Sequence, residues 1–189
     1  MAKKKGDFLS ARASILDAAS ALFSMGGIRE ASLADIAQQA RMSKGTLYYY
    51  YPTKDHLVED IAEEHLSRIT DTLFGWIDAL DGETGAKEAL DALLSLLMAD
   101  EKALRLHVVL QSEAALGNAL VKKKLLAKYR EWTLMLEVGA LKLSQPASGR
   151  LRDISRIFFA AIDGLALHEL IEGGANNRDA MVRLLLAEA

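Results

Sequence analysis

An all-α fold is what this sequence predicts, on three observations. Apolar residues recur at helical spacing through nearly all of its 189 residues, only two prolines interrupt them, and no stretch alternates apolar with polar residues as a half-buried strand would. The pattern resolves into about nine helices. A chain of this length holds one well-packed domain, or a small domain followed by a larger one. No apolar run approaches the roughly 18 residues of a membrane span, and none follows Lys3-Lys4-Lys5 as a signal peptide would require, so a cytoplasmic protein with no membrane partner is expected. Without cysteine, a disulfide framework, a thiolate nucleophile and a Cys-ligated metal all drop out.

Ile15, Ala18, Ala19, Leu22 and Phe23 share one face of a first helix over about 8–25, and Gly26-Gly27 stops it. Ser32 then precedes Leu33-Ala34-Asp35, the Ser-x-x-Asp arrangement of a capping box, for a short helix ending near Ala40. Ser43 caps a third helix with Leu47 as its one strongly apolar side chain, closed by Pro52 because the residue before a proline avoids the helical region. Thr53 caps a fourth, carrying Leu57, Ile61, Leu66, Ile69 and Leu73. Gly75, Asp81-Gly82 and Gly85 loosen the pattern, placing a boundary within 71–84. Apolar helices follow at about 85–99, 103–115, 118–143, 149–173 and 177–188, with breaks at Asp100-Glu101, Gly117-Asn118, Ser144-Gln145-Pro146 and Gly173-Gly174.

The two short helices over 32–40 and 43–50, joined by a tight turn and preceded by a packing helix, form a helix-turn-helix. On a helical wheel of the second, Leu47 and Tyr51 point toward Ile36, Ala37 and the first helix, while Gly45, Thr46 and Tyr49, flanked by Tyr48 and Tyr50, point away. That outer face suits a major groove: Gly45 admits close approach, Thr46 offers a hydroxyl and a methyl to base edges, and the tyrosines reach phosphate and sugar. Lys44 stands exposed at the start of the reading helix, and Lys54 sits in the first turn of the fourth helix, where backbone N–H groups and the helix dipole favour an anion. Ser32 and Ser43 are explained as helix caps and are candidate phosphate contacts besides. Lys3-Lys4-Lys5 reads as a disordered tail or an arm on DNA. Residues 1–55 carry eight Lys/Arg against five Asp/Glu, and 56–189 fifteen against twenty-one. The difference is small, but its sign keeps a phosphate-attracting field at one end of a chain of net charge −3.

The stretch from Arg12 to Leu66, above all Ser32-Leu33-Ala34-Asp35-Ile36-Ala37 followed by Ser43-Lys44-Gly45-Thr46-Leu47-Tyr48-Tyr49-Tyr50-Tyr51 and Lys54, closely resembles the tetracycline-repressor (TetR) family of bacterial transcriptional regulators. The signature is long and ordered, and it covers the first third of the chain. The resemblance implies a helix-turn-helix DNA-binding head over 1–53 and a helical effector-binding and dimerisation body over 54–189, with the helix from 54 linking them and a two-helix dimer surface at the C-terminus. By position it places base and phosphate contacts on Lys44, Gly45, Thr46, Tyr48, Tyr49, Tyr50 and Lys54. Two positions depart from the family pattern: Arg41 occupies a turn site often held by glycine, and Tyr51 replaces the usual phenylalanine.

In the body, apolar residues cover almost the whole circumference between Ile157 and Leu167, and a helix apolar all round is buried on all sides. One side is assigned to a partner subunit, with Gly164 permitting close approach. Phe158, Ile162 and Leu165, with Met181, Leu184 and Leu185 of the last helix, are the expected dimer interface, which would present two reading helices to a palindromic operator. The alternative is that both helices close a monomer core. His107, Gln111, Tyr129, Trp132, Asp163 and His168 interrupt apolar runs, the pattern of a small-molecule site for a lipophilic or aromatic effector, though each suits a satisfied core or surface role too. No His-x-x-x-His or carboxylate spacing supports a metal at His107 and His168, and no metal or cofactor is expected.

An enzyme is not expected: there is no Gly-rich phosphate loop, no Gly-x-Ser-x-Gly and no His-Glu-x-x-His, and the four histidines at 56, 65, 107 and 168 define no constellation. The expected function is a ligand-responsive, sequence-specific repressor that binds its operator as a homodimer and is released by a small molecule. The competing readings are a helical protein-interaction module and a nonspecific architectural DNA binder, which sequence preference would separate from a repressor.

Overall fold

The computed structural model describes residues 2–143, 149–173 and 177–187. Among the described residues are nine helices and no strand: α1 (Ala2–Gly26), α2 (Leu33–Gln39), α3 (Lys44–Tyr50), α4 (Lys54–Ala79), α5 (Ala86–Leu97), α6 (Glu101–Ala115), α7 (Ala119–Lys142), α8 (Gly149–Glu172) and α9 (Asn177–Ala187). The all-α expectation holds, with differences at the ends. α1 begins at Ala2, so Lys3-Lys4-Lys5 continues the helix instead of forming a disordered tail; lysine and alanine are good helix formers. Gly75 does not break α4, because the buried neighbours Leu73 and Trp76 anchor that turn on both sides. α6 starts two residues early, where the Asp100 carboxylate accepts from Lys102 N and Ala103 N. The expected break at Ser144-Gln145-Pro146 and the residue Gly174 lie outside the described residues.

The chain divides into two compact units. The first comprises residues 1–65 and 105–124. Its core is built from Ile15, Ala19 and Phe23 of α1, Ile36 and Ala37 of α2, Leu47 of α3, and Leu57 and Ile61 of α4, all buried. Polar clasps tie these helices. Asp60 Oδ2 accepts from Arg12 Nη2 and from Tyr51 Oη, each at 2.8 Å, joining α1, the end of α3 and α4. The corner between α6 and α7 belongs to this unit too: Glu113 pairs with Arg29 at 3.8 Å, and Lys124 reaches Glu63 at 2.6 Å and Glu59 at 3.7 Å. His65 Nε2 and His107 Nδ1, both buried, lie 3.1 Å apart.

The second unit comprises 66–104 and 125–189. Trp76 donates its indole N–H to Ala89 O at 2.8 Å, fixing its ring between α4 and α5. On the other side the ring meets Gly139 of α7, where an added Cβ would stand 2.3 Å from it. Thr70 Oγ1 accepts from Trp132 Nε1 at 2.9 Å and from Lys128 Nζ at 3.2 Å. Trp132, Tyr129 and Phe159 form one aromatic cluster with ring centres 5.4 to 6.4 Å apart.

Candidate functional site

The helix-turn-helix is assembled almost wholly from local hydrogen bonds. Ser32 Oγ accepts from Asp35 N at 3.2 Å while Asp35 Oδ2 accepts from Ser32 N at 2.9 Å, a complete capping box at the start of α2. The Ser32 hydroxyl and then the Ser32 N–H hold the Asp35 carboxyl below its ordinary 3.8. At the other end Met42 N donates to Ala37 O at 2.9 Å and Arg41 N to Gln38 O at 3.0 Å, the paired bonds of a Schellman turn. That turn needs a left-handed residue, and Arg41 takes the position at φ 56°, the one non-glycine residue with positive φ among the described residues. Ser43 then caps α3, accepting from Thr46 N at 3.0 Å, with its hydroxyl 2.8 Å from Thr46 Oγ1.

With both ends of the turn pinned, α3 presents a sharply divided surface. Leu47 is fully buried, whereas Ser43, Lys44, Gly45 and Thr46 are exposed, as are Tyr48 at 50% and Tyr49 at 76%. The four consecutive tyrosines therefore have different surroundings. Tyr48 and Tyr49 face outward, Tyr50 stacks on Phe8 of α1 at 4.7 Å, and Tyr51 is buried with its hydroxyl on Asp60. Burial, then the bond to Asp60, raises the Tyr51 phenol well above its ordinary 10.0, so it remains a neutral donor. Lys54, in the first turn of α4, donates to Arg29 O at 3.1 Å. Phe8, against Tyr50, and Asp60, against Tyr51, are supporting residues that the sequence pattern does not single out, because each lies on another helix. The exposed set is all donors, aromatic faces and one glycine, Gly45, where an added Cβ would meet the Ser43 hydroxyl at 3.8 Å, with no carboxylate on α3, a surface able to approach and hydrogen-bond a polyanion.

The six candidate ligand residues divide between the two units. His107 and Gln111 belong to α6 in the first unit, His107 against His65. In the second unit Tyr129 Oη donates to Asp163 Oδ2 at 2.5 Å, next to buried Trp132, while His168 is exposed beside Glu172 at 3.5 Å. None of the six lines an apolar cavity of that unit, a space of about 390 Å3 bounded by Trp76 of α4, Leu90 of α5, Leu136 and Ala140 of α7, Phe158 of α8 and Leu185 of α9 among others. Among the described residues no group of three or more His, Cys, Asp or Glu stands together as a metal site. Of the six candidate interface residues, Phe158, Ile162 and Leu185 are buried in the unit's own core, Leu165 and Met181 are half-buried, and Leu184 is 69% exposed. The apolar side chains that α8 leaves outside are Ile157, Leu167 and Ile171, with Ala160 and Gly164 between them on the same stripe.

A short capped helix, a Schellman turn and a second short helix with an outward polar-aromatic face, followed by helices only, define a helix-turn-helix protein with an all-helical body. Residues 15–61 match the family described as bacterial regulatory proteins, tetR family. That match covers the helix-turn-helix end of the chain. It is 30% identical over 119 residues to the HTH-type transcriptional repressor KstR2 of Mycobacterium tuberculosis, an alignment covering 60% of this chain and 56% of that protein. The chain thus spans little more than half the length of that relative. A probable HTH-type transcriptional regulator of Pseudomonas putida, ArpR, is 23% identical over 86% of this chain and 81% of its own length. Among solved structures, Salmonella enterica GusR superposes with a TM-score of 0.77 at 22% identity, covering 95% of both chains. A TetR-family regulator from Agrobacterium tumefaciens gives 0.78 at 22% identity, covering 95% and 97%. These structural likenesses show the fold. No helix among the described residues is long and apolar enough to cross a membrane.

Proposed function

We propose that this chain is a sequence-specific transcriptional repressor that binds a palindromic operator as a homodimer in the bacterial cytoplasm and is released by a small-molecule effector. The observation that carries the reading is the outward face of α3, where Lys44, Gly45, Thr46, Tyr48 and Tyr49 stand clear of the core while Leu47 and Tyr51 hold the helix in place. In this reading Gly45 and Thr46 meet base edges, Lys44, Tyr48, Tyr49 and Tyr50 meet phosphate and sugar, and Lys54 reaches a phosphate at the start of α4. Ser32 and Ser43 present their hydroxyls at helix starts, where a phosphate is favoured. The repressor sense draws on the relative named as one. The head is residues 1–53 and the body, from 54 onward, senses and dimerises.

The stripe of Ile157, Leu167 and Ile171 on α8, with Leu184 on α9, supports a two-fold contact between chains, and a symmetric dimer carries two reading helices to two half-sites. Helix α4 runs unbroken from Lys54 to Ala79 and contributes to both compact units. An effector that prefers one arrangement of the body would move this helix, alter the separation of the two reading helices and weaken operator binding. The experiment is an in vitro selection of random duplexes by the purified protein beside Tyr48→Ala and Lys54→Ala. The expected result is enrichment of one palindrome, with Lys54→Ala weakening all duplexes alike and lowering the salt slope by about 1. Salt-dependent binding blind to sequence would make the protein an architectural binder, and no DNA binding by the folded chain would leave the head as a protein-contact module.

A further inference from the structure

Among the described residues, the side chains that line the apolar cavity of the second unit leave no hydrogen-bond donor for a ligand. Trp76 uses its only donor on Ala89 O at 2.8 Å. Ser155, completely covered, gives its hydroxyl proton to Leu151 O at 2.8 Å. The ten other lining residues are alanine, leucine, isoleucine and phenylalanine, and none is charged. At about 390 Å3 the space lies within the roughly 300–1,000 Å3 of small-molecule sites. Its walls come from five helices, and they include Leu185 and Leu186 of α9.

We propose that this cavity selects an uncharged, hydrocarbon-rich molecule and rejects anions and cations of the same bulk. The proposal rests on the reading of the second unit as an effector-binding body, and it names the effector's chemical class. An ionised carboxylate or sulfonate entering the cavity would give up its hydration for a wall with neither a cation nor a free donor. A quaternary ammonium fares little better: Trp76 and Phe158 are the two aromatic residues of twelve, with no carboxylate beside them. Three arginines of this unit, Arg130, Arg152 and Arg156, line a separate open groove along α7 and α8 with Leu126 and Leu134, where Glu137 pairs with Arg152 at 3.3 Å and leaves the groove a net positive charge. An anionic amphiphile would find its complement there and not in the cavity.

The test compares three aromatic probes of different charge on the full chain: N-phenyl-1-naphthylamine, which is neutral, 8-anilino-1-naphthalenesulfonate, which adds a sulfonate to the same skeleton, and benzyltrimethylammonium, a smaller cation. The neutral dye is expected to bind with one site per chain, and each charged probe to displace it only at concentrations at least about tenfold higher. Two substitutions on different helices, Ala140→Phe of α7 and Ala86→Phe of α5, fill the space and should each abolish binding of the neutral dye while circular dichroism and cooperative melting stay native. Any sulfonate binding in the arginine groove should survive both. Equal affinity for charged and neutral probes at one competing site overturns the proposal, as does neutral-dye binding that persists in a folded, filled variant, or none at all to the parent chain. Dye binding does not involve DNA. An enriched palindrome with no neutral-dye binding therefore removes the ligand class alone, and tight dye binding with no enriched duplex removes the regulator alone.

Discussion

Tyr51 is the residue on which the head's geometry converges, because its hydroxyl and Arg12 share one oxygen of Asp60. Tyr51→Phe should destabilise the protein by about 1.5–3 kcal/mol in urea unfolding at neutral pH, the worth of a hydrogen bond to a charged group. Its pH dependence has a definite sign. The folded state holds the phenol proton more tightly than the unfolded chain does, so this stabilisation is complete below the ordinary 10.0 and is lost as pH rises beyond it. The parent should therefore weaken above that pH more steeply than Tyr51→Phe, and parallel profiles would contradict the assignment. The inward direction of Leu47 and Tyr51 was legible from the helical wheel, since 100° per residue separates them from Gly45, Thr46 and Tyr49. Their partners were not. Asp60 and Phe8 lie on other helices, and no spacing rule connects them to the tyrosines. Arg41 stood out only as a departure from a position that the resembled family often fills with glycine, which left its conformation open; its φ is 56°, in the left-handed region.

Helices α2 and α3 were legible nearly to the residue because their signals are local: a Ser-x-x-Asp box, a serine cap and a proline stop each act within one turn. The start of α1 was not, since Lys3-Lys4-Lys5 carries neither a cap nor apolar periodicity. α8 was harder for a different reason. A segment apolar all round has no preferred wheel angle, so its neighbours decide which side is core; they take Phe158 and Ile162 and leave Ile157, Leu167 and Ile171 outside. The packing of α4 on α7 depends on Gly139. An alanine Cβ there would stand 2.3 Å from the Trp76 ring, which cannot swing away without breaking its bond to Ala89 O. Gly139→Ala should therefore lower stability by about 1–3 kcal/mol despite alanine's better helix propensity. An unchanged or higher melting temperature would show that the indole has another place to go.

Assembly depends on the side chains that folding leaves over. Leu167→Glu with Ile171→Glu should turn a dimer into a folded monomer by sedimentation equilibrium, and should reduce retention of a palindromic duplex far more than that of a single half-site. A monomeric parent chain, or a variant that remains dimeric, would move the interface elsewhere. Of the six residues expected at a dimer interface, Phe158, Ile162, Leu165, Met181, Leu184 and Leu185, Leu184 is the one exposed in the single chain. The body's candidate ligand residues show the same limit. Polar residues in apolar runs stand out in a sequence, whereas the residues that line this cavity do not. A void is a property of how five helices meet, and no window of a single helix contains it.

The aromatic residues are partitioned in a way that makes the chain its own optical reporter. Trp76 and Trp132, the only two tryptophans, both lie buried in the second unit, and four of the five tyrosines follow one another in the first. Emission excited at the red edge of the absorption band comes from indole alone and so follows the body, while tyrosine absorbance follows mainly the head. Unlabelled protein can thus reveal by spectroscopy whether the two units melt together or one before the other.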